Sequence, residues 1–208
     1  MPTNVSLPPG GLYAISDGPR ADLLDACEKA LCGGAAVLQY RDKTAEPARR
    51  HQEALALAAL CARYRAPLIV NDDIELAADV GAAGVHLGKG DATVADARAR
   101  LGAHTIIGVS CYGSIERARQ AVDEGADYLA FGAFYPSPTK PDALRATPDL
   151  LRAATPFGLP LVAIGGITPD NAQLLLAAGA DFLAVVSGVF GAADPATAAR
   201  RYAALFTK

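Results

Sequence analysis

Three short stretches of this 208-residue chain set cations, amides and carboxylates close together: Gln39-Tyr40-Arg41-Asp42-Lys43, Asn71-Asp72-Asp73 and Gly88-Lys89-Gly90-Asp91. Guanidinium, ammonium and amide groups hold phosphate oxygens. Mg2+ takes one or two carboxylates and completes its shell with water and phosphate oxygens, a demand that Asp72 and Asp91 fit. Asp73 can cap the helix that follows, which leaves Asp72 free. Ser110 closes the run Ile107-Gly108-Val109-Ser110 outside any Gly-x-Ser-x-Gly elbow and without a Ser/His/Asp set, so it reads as a binding hydroxyl. The stretch Phe134-Tyr135-Pro136-Ser137-Pro138-Thr139-Lys140-Pro141 carries two hydroxyls and an ammonium on a proline-stiffened loop, which loses little entropy on ordering over a phosphate.

These residues need a scaffold that gathers distant loops. Short β-rich runs recur at 12–16, 36–41, 68–71, 84–87, 105–110, 128–132, 161–165 and 182–187, each followed by an Ala/Leu/Arg/Glu-rich segment with an apolar face, such as 48–64 and 172–178. Several of these segments end in a glycine step before the next run: Gly33-Gly34, Gly81-Ala82, Gly125-Ala126 and Gly179-Ala180. Glycine there accepts the left-handed turn that returns the chain to the sheet. Strict alternation implies parallel strands, and eight near-equal units point to an α/β fold, a single-domain (β/α)8 TIM barrel over residues 1–208 with 1–10 as an N-terminal extension. An open doubly wound sheet is the competing architecture, but no GxGxxG follows the first strand.

Barrel chemistry sits at the carboxyl ends of the strands. Period-two alternation, while the strand lasts, puts Gln39, Arg41 and Lys43 on one face of the second strand, toward the mouth, although Arg41 and Lys43 would also suit a frayed, solvated strand end. Asp72 and Asp91 follow the third and fourth strands. The seventh strand ends in Ile164-Gly165-Gly166-Ile167, before Thr168-Pro169-Asp170, read as a helix cap with proline at the first helical position. The eighth ends in Val186-Ser187-Gly188, and glycine-rich loops after these two strands suit a phosphate. Two anion sites, and so two substrates, are expected. His86 reads as an interior barrel histidine rather than a metal ligand, His51 as a surface residue and His104 as lying at a strand start.

A net charge of −3 without same-sign blocks supplies no general field for nucleic acid or an anionic membrane. The cysteines Cys27, Cys32, Cys61 and Cys111 form no CxxC pair and read as reduced thiols, and no segment has the composition of a signal peptide or membrane span, so a cytoplasmic protein is expected. Nothing suggests a sealed Schiff-base lysine or a metal-free carboxylate pair.

Taken in order, LQYRDK (38–43), IVND (69–72), GVHLGKGD (84–91), IGVS (107–110), FYPSPTK (134–140), AIGGI (163–167) and VVS (185–187) resemble the thiamine phosphate synthase family over nearly the whole chain. The resemblance implies a transferase that joins hydroxymethylpyrimidine pyrophosphate to hydroxyethylthiazole phosphate. It implies Gln39, Tyr40, Arg41, Asp42, Lys43, Asn71, Ser110 and Lys140 at the pyrimidine pyrophosphate, with Arg41, Lys140 and Ser110 acting in catalysis. It implies Ser137, Pro138, Thr139, Gly166, Val186 and Ser187 at the thiazole phosphate, and Mg2+ on Asp72 and Asp91. Gly132-Ala133, Ser137 and Lys89 depart from the family's frequent Gly-Pro, Thr and Gln. A thiazole tautomerase-like paralogue and a noncatalytic phosphate-ligand sensor are the alternatives, and Asn71-Asp72, Asp91 and Thr139-Lys140 speak for the synthase. The expected partners are small-molecule substrates, without nucleic acid or membrane. The sequence does not set the oligomeric state, and a homodimer stays open.

Overall fold

The computed structural model describes residues 6–136 and 146–207. Eight parallel strands close into a barrel in sequence order, β1 (Gly11–Ile15), β2 (Ala35–Tyr40), β3 (Leu68–Asn71), β4 (Gly84–Leu87), β5 (Ile106–Tyr112), β6 (Tyr128–Gly132), β7 (Leu161–Ile164) and β8 (Phe182–Val185). β1 pairs with both β2 and β8, which completes the ring. The crossovers carry α1 (Leu23–Cys32), α2 (Pro47–Tyr64), α3 (Ile74–Asp79), α4 (Val94–Leu101), α5 (Ile115–Asp123), α6 (Pro148–Ala154) and α7 (Gln173–Ala177), and after β8 come α8 (Ser187–Phe190) and α9 (Pro195–Ala203). Gly34, Gly81, Gly125 and Gly179 all take positive φ at the turns into the next strand, as the glycine steps predict.

The apolar residues fall into two layers. One lies between the strands and the helices and contains Leu38, Leu57, Val85, Leu129, Leu151 and Leu183. The other fills the barrel with every second strand residue, including Tyr13, Ile15, Val37, Ile69, Ile106, Tyr128, Val162 and Phe182. Leu7 packs against this inner layer, so part of the segment expected to be an extension joins the barrel.

Space inside is set by one small residue beside one large one. Gly108 on β5 is registered against Tyr128 on β6, and a methyl group at Gly108 would occupy the position of the Tyr128 ring. Tyr128 is fully buried, with Tyr13 packed edge-on at a centroid distance of 5.9 Å. The glycine of the IGVS motif is therefore room for a phenol.

Several strand ends differ by one or two residues from the sequence reading, and two boundaries bear on the site. β2 ends at Tyr40 rather than Arg41, and α7 begins at Gln173. Residues 169–172 form a turn, in which the Asn171 side chain accepts from the Thr168 amide at 2.9 Å, so Thr168-Pro169 is not a helix start.

Gly108→Ala should lower the unfolding free energy by about 3 kcal/mol, the upper end of overpacking costs, because the ring beside it cannot withdraw. Urea unfolding followed by far-UV circular dichroism measures this, and an unchanged midpoint would contradict the packing described.

Candidate active site

The carboxyl ends of the strands open into a cavity of about 210 Å³ lined by Gln39, Arg41, Asn71, His86, Ser110 and Tyr112 on one side. Ile164, Gly165, Gly166, Val186, Ser187 and Gly188 line the other side, and Tyr13 and Tyr128 lie beneath. Alternation along each strand brings these residues inward. Gln39 follows Val37, Asn71 follows Ile69, His86 follows Gly84 and Ser110 follows Gly108, each one step above the apolar layer.

The floor is polar and linked. Gln39 Nε2 donates to the Tyr13 hydroxyl at 2.9 Å, and the Tyr13 and Tyr128 hydroxyls are 2.7 Å apart. The Tyr128 hydroxyl lies 2.9 Å from His86 Nδ1, and His86 Nε2 lies 2.8 Å from Ser110 Oγ. Burial holds the His86 imidazole down at about 4, against only partial compensation from the charge of Asp72, so it is neutral near pH 7. Burial likewise raises both phenols above their ordinary value, so they stay protonated. His86 is thus interior, as the sequence suggests, but it belongs to the floor of the cavity.

At the rim, the Asp72 and Asp91 carboxyls face each other at hydrogen-bonding distance. Burial pushes Asp72 up, but bonds from Lys43 and Asp91 and the Lys43 charge outweigh it and leave it below the usual carboxylate range. Asp91 is raised, first by burial and then by the neighbouring Asp72. Lys43 Nζ lies 2.6 Å from Asp72 Oδ2, and the Gly88 amide donates to Asp91 Oδ2 at 2.6 Å. Asp73 caps α3 by accepting from the Leu76 amide at 2.9 Å. Asp72, with φ of 64°, takes no part in that cap and faces Lys43 and Asp91. A positive φ on a non-glycine residue costs energy and persists where its surroundings impose it, as at ligand sites.

Arg41 lines the cavity, and its guanidinium makes no hydrogen bond or ion pair among the described residues. Its amide is anchored by Ser16 Oγ at 2.9 Å. The neighbours Tyr40 and Asp42 point away from the mouth. Tyr40 donates to Glu53 Oε2 on α2 at 2.7 Å, and the fully buried Asp42 side chain accepts from the Thr44 amide at 2.8 Å. Arg49 Nη1 stands 2.7 Å from Asp42 Oδ2 as an ion pair without hydrogen-bond alignment. Their side chains therefore shape the loop from behind, and Lys43, past the strand end, reaches the carboxylates rather than the cavity floor.

Across the mouth, Gly166 takes φ of 61°, and a methyl group there would run into the Pro136 carbonyl, so the loop after β7 packs against the base of the loop after β6. The amides of Ser187 and Gly188, at the start of α8, donate to no backbone carbonyl among the described residues. Ser137, Pro138, Thr139 and Lys140 lie outside the described residues. The sequence reading missed Tyr13 and Tyr128 as site residues; the one signal for them is that each shares strand parity with the residues that line the mouth.

The family model for thiamine monophosphate synthase matches residues 12–189. The chain is similar to a thiamine-phosphate synthase of Xanthomonas campestris pv. campestris, 55% identical over 200 residues that make up 95% of this chain and 96% of that one. It is similar to another from Thiobacillus denitrificans, 54% identical and covering 95% of each chain. Among solved structures it is similar to a thiamine phosphate pyrophosphorylase from Pyrococcus furiosus, with a TM-score of 0.83, 35% identity and coverage of 92% of this chain and 93% of that one. A 3-hexulose-6-phosphate synthase at 19% identity and a TM-score of 0.68 shares the fold.

The low imidazole value has a stability consequence. An unfolded histidine takes its proton near 6.5 and folded His86 only near 4, so the unfolded chain binds more protons between those values. Stability is then complete above pH 6.5 and falls on acidification through that window, by roughly 3 kcal/mol at its lower end. Unfolding free energies near pH 7 and near pH 4 should differ less in His86→Gln than in the unsubstituted chain, and an equal pH slope would count against the buried neutral imidazole.

Proposed function

This chain belongs to the thiamine monophosphate synthase family, and we propose that it transfers the hydroxymethylpyrimidine group from its pyrophosphate to the ring nitrogen of hydroxyethylthiazole phosphate, giving thiamine phosphate and pyrophosphate. The observation that carries this reading is the division of the mouth into two walls. A cationic and carboxylate rim on β2 to β4 faces backbone amides after β7 and β8 across one cavity. One wall suits a pyrophosphate and the other a monophosphate.

On the first wall, Arg41, Asn71 and Ser110 bind the pyrimidine pyrophosphate, with Gln39 against the ring. From Tyr40 and Asp42 the contribution is backbone and loop shape, since both side chains are engaged elsewhere. Lys140, from the loop after β6, is assigned to the same pyrophosphate, and Ser137, Pro138 and Thr139 to the thiazole phosphate. Gly166, Val186 and Ser187 form the rest of the second subsite.

Asp72 and Asp91 would hold Mg2+. Two facing carboxylates, one displaced up and the other down in acidity, are the donor set that a hard cation relieves. Three or more His, Cys, Asp or Glu side chains do not converge on a metal position among the described residues, so the rest of the ion's shell would have to come from water and phosphate oxygens. When bound, the ion neutralises charge on the departing pyrophosphate.

The carbon–oxygen bond to the pyrophosphate breaks, leaving positive charge on the pyrimidine methylene, which the thiazole nitrogen captures. Arg41 and Lys140 stabilise the charge growing on the leaving oxygens. Beneath the ring, the neutral imidazole and protonated phenols place no cation against the developing positive charge. No general base is required. The described residues include no helix long and apolar enough to cross a membrane, and with small-molecule substrates the reading is of a cytoplasmic enzyme.

Pyrophosphate release by the purified protein should require both substrates and Mg2+, and should be lost in Asp72→Ala; no release from folded protein would refute the assignment. Arg41→Ala should lower turnover by about ten- to a hundredfold, as expected for one charge-assisted contact that strengthens at the transition state. An Arg41→Ala turnover equal to that of the unsubstituted enzyme would remove Arg41 from the mechanism.

A further inference from the structure

The five-residue chain across the cavity floor takes its direction from one end, the donation from Gln39 Nε2 to Tyr13. Gln39 Nε2 donates to the Tyr13 oxygen, and the only other polar atom hydrogen-bonded to that oxygen among the described residues is the Tyr128 hydroxyl. Tyr13 is fully buried, so its own proton must go to Tyr128 or be left without an acceptor. Tyr128 then holds an accepted bond, and its proton has one acceptor, His86 Nδ1 at 2.9 Å. An imidazole that accepts at Nδ1 and is neutral carries its proton on Nε2, which donates to Ser110 Oγ at 2.8 Å. Ser110 then keeps its O–H for the cavity that it lines.

We propose that this floor is a polarised hydrogen-bond wire in which the Gln39 carboxamide fixes the His86 tautomer and so turns the Ser110 O–H toward the mouth, with Tyr13 and Tyr128 as positioning residues for Ser110. No proton moves along it; each group only orients the next. The reverse arrangement is also self-consistent. If Gln39 turned its carbonyl oxygen to Tyr13, every bond would invert: His86 would carry its proton on Nδ1, and Ser110 would donate to His86 and show only lone pairs to the mouth. The two ends of the wire are thus read together. With Nε2 engaged, Gln39 offers Oε1 as an acceptor while Ser110 offers a donor.

The consequence for substrate choice rests on the synthase reading. With the pyrimidine against Gln39, a ring substituent that donates, such as an amino group, would satisfy Gln39 Oε1 in the same state that lets Ser110 donate to an anionic oxygen. An oxo group at that ring position would need the carboxamide inverted, which turns the Ser110 lone pairs onto the anion. One exchanged group is penalised at both ends, so the enzyme should reject the oxo analogue more strongly than a single hydrogen bond allows.

Long-range proton–nitrogen correlation on the full 15N-labelled chain reads the tautomer directly. The chain has only three histidines, and His86→Gln assigns the signal. In the unsubstituted protein at neutral pH, His86 should be the Nε2–H form; an Nδ1–H form would overturn the proposal. In Gln39→Glu the carboxylate, once ionised, can only accept, so raising the pH should shift His86 toward Nδ1–H although three hydrogen bonds intervene, and adding Tyr13→Phe should cut the link and restore Nε2–H. Should Gln39→Glu not fold, Gln39→Leu takes its place and should give a mixture of both forms. A tautomer that ignores position 39 would remove Gln39 from control of Ser110.

Kinetics test the reading in substrate terms. Tyr13→Phe, which separates Gln39 from His86, should reduce the preference for amino over oxo substrate by about tenfold, the value of one charge-assisted bond. A preference equal to that of the unsubstituted enzyme would refute the coupling. The two readings fail separately, because the tautomer experiment needs no substrate, whereas absence of turnover in the unsubstituted protein would strike only at the synthase reading.

Discussion

Closing eight parallel strands into a ring forces every second side chain into one shared interior, where a polar atom must find a partner or be penalised. The meeting of the Tyr13 and Tyr128 hydroxyls at 2.7 Å is where this chain meets that constraint. Below it, Ile69, Ile106 and Phe182 make an apolar plug; above it, Gln39, Asn71, His86 and Ser110 face the cavity. The two phenols lend apolar rings to the plug and polar tips to the layer above, so one pair of residues forms the boundary between core and site. The missing side chain at Gly108 is part of that boundary, because the Tyr128 ring occupies its place.

The rim uses a different device. There the groups are charged and partly exposed, and they are held from behind rather than from below. Asp42 fixes the loop after β2 through Thr44 and Arg49, while Arg49 also reaches Glu46 and Glu53. Buried ion pairs of this kind add little net stability, but removing one partner is costly, so the clamp constrains geometry more than it adds free energy. Its effect is to present the Arg41 backbone against Ser16 and leave the guanidinium for the mouth. Asp73 does comparable work one strand over, since by capping α3 it leaves Asp72 to face Asp91.

Much of this was legible in the sequence because strand periodicity and helix chemistry are local. The eight runs, the glycine returns, the Asp73 cap that leaves Asp72 out of it, and the interior placement of His86 all follow from short-range rules. What failed depended on where a strand stops. Alternation read through Arg41 to Lys43 would keep all three odd-numbered residues on the barrel face, but β2 ends at Tyr40, and beyond it Lys43 turns to Asp72. The resemblance marks 39–43 as one binding segment without saying which atoms serve. Only three-dimensional contacts reveal that Tyr40 and Asp42 turn their side chains to Glu53, Thr44 and Arg49. Tyr13 and Tyr128 carry no signal beyond strand parity, because nothing near them in sequence indicates that their hydroxyls lie within reach of each other across 115 residues.

The separation of charge from dipole between rim and floor suits the proposed chemistry on energetic grounds. A carboxylate on the floor would stabilise a methylene cation but, buried without a partner, would take up a proton or be costly to bury. An imidazolium there would oppose the same cation. Phenols held protonated and an imidazole held neutral avoid both problems, and in a low-dielectric cavity their dipoles act with less screening than in water. Full charges are then confined to the rim, where the leaving pyrophosphate needs them and water can moderate their cost. The bond that must break joins these two regions, so a ligand spanning them has its positive end over dipoles and its negative end among cations before the reaction begins.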